Sequence, residues 1–205
     1  MKDNTQKRAQ PDHPIDDAIA ARYSPYAFDP RPLDDAKLLS CLEAARWAAS
    51  SFNEQPWRFI IAKREVEAAF GRLLSCLMEA NQAWAKDASV LILTVAKDSF
   101  TRNNNPNRVA EHDIGLAMGN LTHQASILDL AVHQMAGINI AKIRQEFGVP
   151  EGFDPVTAVA LGYAADPAKA DESFRERDQA PRSRKPLSEW VFDDKWDQPA
   201  KVVKG

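Results

Sequence analysis

The chain has 205 residues, of which 44% are hydrophobic and 27% are charged, and its net charge is −3. That length suits one globular domain that buries roughly 70% of the surface of its unfolded chain. The small negative charge excludes a global electrostatic attraction to nucleic acid or to anionic membranes, and the longest apolar run, at 89–96, is too short to span a bilayer.

The first elements predicted from the sequence are two helices. Residues 1–14 are polar and lack the apolar stretch of a signal peptide, so we expect a flexible tail and a cytoplasmic protein. The sequence IDDAIAAR at 15–22 predicts a short helix that ends before a proline-rich turn. Residues 34–48 carry apolar side chains at helical spacing, which predicts a second helix that leads into a polar segment.

Strands and further helices are predicted in the rest of the chain. β-branched and aliphatic residues predict strands at 58–62, 89–96 and 157–165, with a helix between the first two. A polar, Asn-rich loop at 97–108 precedes a long helix predicted over 110–133, and a short helix is predicted over 140–149.

Two features of this pattern leave alternatives open. Gly115 and Gly119 lie one helical turn apart, which fits an intramolecular packing crease and a symmetric dimer contact equally well. The charged C-terminal segment contains Trp190, Phe192 and Trp196, which favours a tail that packs on its own body or on a partner.

The usual motifs for nucleotide, hydrolase and zinc chemistry are absent from the sequence. There is no GxGxxG, GxxxxGK[ST], GxSxG or HExxH, so we predict no metal site. His112 and Asp113 could form an acid/base pair, but neighbours on a helix do not face each other, so we assign them to capping the start of the long helix. Cys41 and Cys76 lie in apolar helical patterns, which predicts buried reduced thiols.

Three polar groups match the chemistry of a phosphorylated aromatic ligand. They are Arg22, Tyr23 and Ser24; Ser50, Ser51, Asn53 and Gln55; and Arg182 with Arg184. Arginine binds phosphate oxygens bidentately, and serine adds a further donor. A carboxamide both donates and accepts, which suits the edge of a flavin or pyrimidine ring.

In this order the three groups resemble the FMN-dependent nitroreductase family, over residues 15 to 190. The family has an Arg-Arg-Ser triplet and an Ala-Pro-Ser…Asn…Gln-Pro-Trp segment, where this chain has RYS at 22–24 and AASSFNEQPW at 48–57. The segment 112–138 is similar to the central helix of the family and the loop after it. The chain departs from the family pattern at Tyr23, at Pro25-Tyr26 and at Ala49.

The resemblance implies an α+β, nitroreductase-like three-layer sandwich with a mostly antiparallel central sheet flanked by helices, in an intertwined homodimer. It implies an FMN-binding domain at 15–170 and a C-terminal extension at 171–205 that wraps the partner subunit. Arg22, Tyr23, Ser24, Arg182 and Arg184 would bind FMN. So would Ser50, Ser51, Asn53 and Gln55 from the second subunit, which favours the dimer contact at Gly115 and Gly119. Backbone groups of Ala136 and Gly137 would lie beside the reactive flavin nitrogen.

The activity implied is that of an FMN-dependent NAD(P)H oxidoreductase that reduces nitroaromatic, quinone or similar electron-poor small molecules by a ping-pong mechanism. The alternatives are a reductive dehalogenase or enal reductase on the same scaffold, and a flavin-binding dimer without turnover. The loop with Arg102, Asn103 and Asn105 is either a lid that selects the acceptor or a solvated connector.

Overall fold

The computed structural model describes residues 7–203, and within that range the chain forms seven α-helices and five strands. The helices are α1 (Asp17–Ala21), α2 (Asp35–Arg46), α3 (Glu67–Leu74), α4 (Glu79–Ala85), α5 (Ala110–Ile127), α6 (Ile140–Phe147) and α7 (Glu172–Gln179). The strands are β1 (Phe28–Asp29), β2 (Trp57–Lys63), β3 (Val90–Lys97), β4 (Ala131–Met135) and β5 (Phe153–Ala164). None of the described helices is long and apolar enough to cross a membrane.

The five strands form one sheet in which every pairing is antiparallel. The order is β1-β5-β3-β2, and β4 pairs with β5 on the same side as β1. β3 lies in the middle of this order and is almost wholly buried, as its run of aliphatic residues predicts. The strands predicted at 58–62, 89–96 and 157–165 are confirmed as β2, β3 and β5, whereas β1 and β4 were not predicted.

Helices cover both faces of the sheet. On β3, Val90 and Ile92 pack with α2 and α5, while Leu91 and Leu93 pack with α3, α4 and α6 on the other face. This division follows from the period of two along a strand, which points successive side chains to opposite faces. The predicted α+β three-layer sandwich is therefore confirmed.

The helix predicted over 110–133 is too long. α5 ends at Ile127, and the chain turns through Asp129, whose φ is +58°, before it enters β4. The Leu130 N–H donates to Ala125 O at 2.8 Å, which closes the helix end. The prediction failed because Leu128 and Val132 fit the helical spacing, although they lie in the turn and the strand.

The start of the described chain and the segment after α7 contact the body of the fold. The Ala9 N–H donates to Ala20 O, and Arg182 donates to Lys7 O and Ala20 O. Residues 1–6 of the predicted flexible tail lie outside the described residues, and the division into segments at 1–14, 15–170 and 171–205 stays a prediction. Trp190 and Trp196 are 57% and 86% exposed, so their own chain leaves most of both rings uncovered.

Candidate functional site

Three arginines form a cationic cluster where α1 ends. The Arg22 backbone leaves the helix at ψ 128°, and its guanidinium donates to Ser24 Oγ at 3.2 Å. Burial, followed by repulsion from Arg182 and Arg184, lowers the pKa of Arg22, and burial and Arg184 lower that of Arg182. Between residues 7 and 203, none of the three arginines forms an ion pair with a carboxylate. The cluster therefore offers uncompensated positive charge to an anion.

Tyr23 occupies a different environment from its two neighbours. Its residue is only 6% exposed, whereas Arg22 is half-buried and Ser24 is exposed. The Tyr23 side chain thus belongs to the core, and a contact between this position and a ligand would have to come from the backbone.

An open cleft of about 280 Å³ adjoins Arg22. It is lined by Ala18, Ile19, Arg22, Gly115, Gly119, Thr122, His123 and Gln134. A Cβ atom placed on Gly115 or Gly119 would meet nothing within 4 Å, so no helix of the described chain packs against these glycines. The intramolecular packing crease considered for them is therefore wrong.

Ala136 and Gly137 follow β4 and form a turn next to the start of α4. The Gly137 carbonyl accepts hydrogen bonds from Met78 N at 3.0 Å and from Asn81 Nδ2 at 3.1 Å. A Cβ on Gly137 would lie 2.6 Å from Asn81 Nδ2, so a larger residue here would have to displace the Asn81 carboxamide. Among the described residues, no acceptor takes the Gly137 N–H.

Asn81 is a polar residue at this turn that the sequence did not single out. It lies in the first turn of α4, where its carboxamide reaches Gly137 across 56 positions of sequence. Met78 is 54% exposed beside the same glycine. A short, locally unremarkable helix gave no indication of this contact, because the contact depends on how α4 packs beside β4.

The segment that contains Ser50, Ser51, Asn53 and Gln55 is a tight, strained turn. Ser50 Oγ accepts from Gln55 N at 3.0 Å, and Gln55 Nε2 donates to Asn53 Oδ1 at 3.1 Å. Phe52, Asn53 and Gln55 all have φ between +51° and +56°. Left-handed backbone at non-glycine residues costs roughly 1–2 kcal/mol each and tends to cluster at functional sites.

The chain does not bring this segment to the arginine cluster. The Ser51 N–H donates to Asp113 Oδ2 at 3.0 Å, while the cleft next to Arg22 is lined by Thr122. Asp113 and Thr122 are nine residues apart on α5, which places them on opposite faces and roughly 13 Å apart along the helix axis. Asp113 lies in the first turn of α5, but neither it nor His112 caps the helix, whose N-cap is Val109 without a side-chain hydrogen bond. The predicted capping role is therefore wrong, and Asp113 anchors Ser51 instead.

The Asn-rich loop at 97–108 is attached to the same strained segment. The Glu54 carboxylate accepts from Thr101 N at 2.9 Å and from Lys97 Nζ at 3.0 Å. The Arg102 guanidinium lies 3.7 Å from the centre of the Phe52 ring, which is a cation–π distance. These contacts couple the position of the loop to that of the segment.

Metal and thiol chemistry find no support in the described part of the chain. No group of three His, Cys, Asp or Glu side chains between residues 7 and 203 could hold a metal ion. Cys41 and Cys76 are both free and fully buried, as predicted.

Sequence and structure comparisons place these features in a family. The profile described as "Nitroreductase family" matches residues 19–163. A crystal structure described as that of an oxidoreductase containing FMN is 34% identical, with a TM-score of 0.86 over 92% of this chain and 96% of that chain.

Two curated relatives extend the comparison. An uncharacterised 15.4 kDa protein from Mycolicibacterium smegmatis is 36% identical over 69% of this chain and 99% of its own length. The major NAD(P)H-flavin oxidoreductase of Aliivibrio fischeri is 27% identical over 74% of this chain and 88% of its own. With the three-layer antiparallel fold, these matches show that the chain is a member of the nitroreductase family.

Proposed function

We propose that the protein is an FMN-dependent NAD(P)H oxidoreductase that reduces nitroaromatic, quinone or similar electron-poor acceptors. The observation that carries this proposal is the arginine cluster at the cleft next to β4, which has no carboxylate partner among residues 7–203. The 34% identical structure contains FMN according to its description, and the relative from Aliivibrio fischeri is named for NAD(P)H and flavin. Both support the same cofactor and electron donor here.

The residues present fit FMN. Arg22, Arg182 and Arg184 would hold the ribityl phosphate, because guanidinium groups bind phosphate oxygens and keep their charge at any working pH. The free Gly137 N–H would donate to the flavin ring, and the glycine leaves the backbone accessible. When bound, FMN supplies the redox chemistry itself, which allows NAD(P)H and the acceptor to use one site in turn by a ping-pong mechanism.

The second half of the site is proposed to come from another copy of the chain, in a homodimer. Ser50–Gln55 lies on the far side of α5 from the arginine cluster, so its carboxamides need a second subunit to reach a flavin bound there. The exposed face of α5 supports such an interface: Gly115 and Gly119 are exposed, Leu116 is 39% exposed and Ile127 is 56% exposed. Small residues on this face permit close approach between two helices.

The loop at 97–108 would then lie at the entrance of the site in the partner subunit. Its contacts with Glu54 and Phe52 attach it to the segment that faces the flavin, so changes in the loop are expected to alter acceptor choice. Profiling nitroaromatics, quinones, halogenated aromatics and enals as acceptors separates the proposed activity from dehalogenation and enal reduction.

A flavin-binding dimer without turnover is the second candidate. This candidate is favoured by Tyr23, because a buried tyrosine stands at the position where the family pattern has a second arginine. The visible absorption spectrum of the purified protein, recorded anaerobically before and after NADPH or NADH is added, separates the two. A yellow protein that bleaches supports the oxidoreductase. A yellow protein that does not bleach supports the binding protein, and one that stays colourless after incubation with FMN contradicts both.

The phosphate contact is tested by Arg22→Ala. We expect a folded dimer that loses most of its FMN during purification, since one of three cations and the bond to Ser24 are removed. Arg72→Ala is the matched control, because Arg72 is exposed on α3 on the opposite face of the sheet, where its guanidinium stacks on Phe147. Full FMN occupancy in Arg22→Ala would show that Arg22 does not hold the phosphate.

A further inference from the structure

Hydrogen bonds tie the loop that carries Arg22 and Ser24 to distant parts of the chain. Arg182 donates to Ala20 O at 3.0 Å, before the loop, and His133 Nδ1 lies 2.8 Å from Pro25 O. Asp178 accepts from the backbone N–H groups of the next two residues, and the Ala27 carbonyl accepts from Ala165 N at 3.0 Å. The ties from Arg182 and Asp178 therefore come from α7 and the residues after it.

Asp178 has an environment that is unusual for a carboxylate. It is 1% exposed and is the buried residue of α7, a helix whose other side chains are half-buried or exposed. Its oxygens accept from Tyr26 N at 3.0 Å and from Ala27 N at 2.9 Å. A buried carboxylate is costly unless it is well hydrogen-bonded, so these two amides fix the geometry of the loop tightly.

Within the described residues, the hydrogen bonds of Asp178 go to the loop amides, and none goes to an arginine of the cluster. Asp178 raises the pKa of Lys7 against the dominant lowering effect of burial, and it does the same to His133. The main influences on Arg22 and Arg182 are burial and other arginines. The carboxylate thus holds the loop through backbone amides and leaves the guanidinium groups available to a ligand.

We propose that Asp178 is a positioning residue for phosphate binding: it holds the Tyr26 and Ala27 amides and thereby sets Arg22 and Ser24 in place. This inference rests on the proposed function, in which the arginine cluster holds the phosphate of FMN. It makes α7 part of the cofactor site, although its residues need not touch the cofactor. The two effects of Asp178 on phosphate binding have opposite signs. Its negative charge alone would weaken the binding of a phosphate, whereas its hold on the loop strengthens that binding.

The test compares two ligands that differ only in the phosphate. The dissociation constants of FMN and riboflavin are measured by quenching of flavin fluorescence, with the full-length apoprotein of the wild type, Asp178→Asn and Asp178→Glu. Asn places an NH₂ group against the loop amides, and Glu keeps the charge but displaces the carboxylate by one methylene. We expect both variants to bind FMN about tenfold more weakly with little change for riboflavin, since each loses a charge-assisted hydrogen bond that holds the loop.

Asp154→Asn is the matched control, because it removes an exposed ion pair with Arg144 far from this loop. Circular dichroism and the midpoint of thermal unfolding report on folding. Equal losses for FMN and riboflavin would assign Asp178 to general stability, and tighter FMN binding in Asp178→Asn would assign it to charge alone; either result overturns the inference. If wild-type protein binds neither ligand, the proposed function itself fails, and this inference fails with it.

Discussion

Replacing both exposed glycines of α5 with alanine should have opposite effects on the single chain and on the dimer. A Cβ at Gly115 or Gly119 meets no atom within 4 Å in its own chain. Alanine is favoured over glycine in a helix by about 1 kcal/mol per site, so the helix itself gains about 2 kcal/mol. An added methyl group in a closely packed interface costs roughly 1–3 kcal/mol.

Because a symmetric dimer carries each change twice, one unfavourable methyl per subunit weakens association by roughly 2–6 kcal/mol. With 1.4 kcal/mol for each factor of ten, the dissociation constant should rise about 30-fold or more. Most of that change is expected in the dissociation rate. The assay is subunit exchange between His-tagged and untagged dimers, followed by affinity capture over time.

Gly71→Ala is the matched control. Gly71 is an exposed glycine in α3, and a Cβ placed there also meets nothing within 4 Å. Its substitution should raise the free energy of unfolding by up to about 1 kcal/mol without changing subunit exchange. Exchange at the wild-type rate in the double variant would show that α5 does not form the dimer contact.

Two further predictions concern groups whose pKa values are shifted. Burial raises the pKa of Cys41 to about 11. The folded protein therefore holds this proton more tightly than the unfolded chain, and the stabilisation is lost as the pH rises from about 9 to about 11. Cys41→Ala should flatten the curve of unfolding free energy against pH in this range. In a separate test, a thiol reagent at pH 8 should leave the cysteines of the native protein unlabelled, and rapid labelling would contradict their burial. The second group is Glu54, whose pKa is lowered mainly by the hydrogen bond from the Thr101 hydroxyl. The ionised Glu54 carboxylate therefore stabilises the folded protein above pH 4.5, and this stabilisation is lost as the pH falls through the lower pKa of the folded state. Glu54→Gln should speed amide hydrogen exchange in the loop at 97–108 and change acceptor preference while FMN stays bound; an unchanged loop would mean that Phe52 and Arg102 suffice to hold it.

Local patterns in the sequence were enough for most of the secondary structure. The apolar run of β3 and the helical spacing of α2 predicted these elements to within one or two residues, because burial dictates side-chain type at a period of 2 or 3.6. The same method extended α5 through Val132, since an apolar pattern does not distinguish a helix end from a short buried strand. Asp129 in the left-handed region decided that boundary.

The chemical types at the site were also readable from the sequence. Arginine, serine and carboxamide groups in the order of the family pattern predicted a phosphate and an aromatic ring, and the family assignment is confirmed. The individual site residues stay predictions. The sequence could not reveal that Phe52, Asn53 and Gln55 form a strained turn, nor that Asn81 supports Gly137, because both features depend on packing between distant segments.

The amino-acid sequence by itself determined most of the helices and strands, the chemical types expected at the site, and the family to which the chain belongs. Only the tertiary structure decided that Arg22 and Arg182 lie together while Ser51 is held on the opposite side of α5. Likewise, only the fold joined Asp178 to Tyr26, across 152 positions. The reason is physical: propensity and periodicity act over a few residues, whereas a site is assembled by contacts whose partners are fixed once helices and sheet have packed.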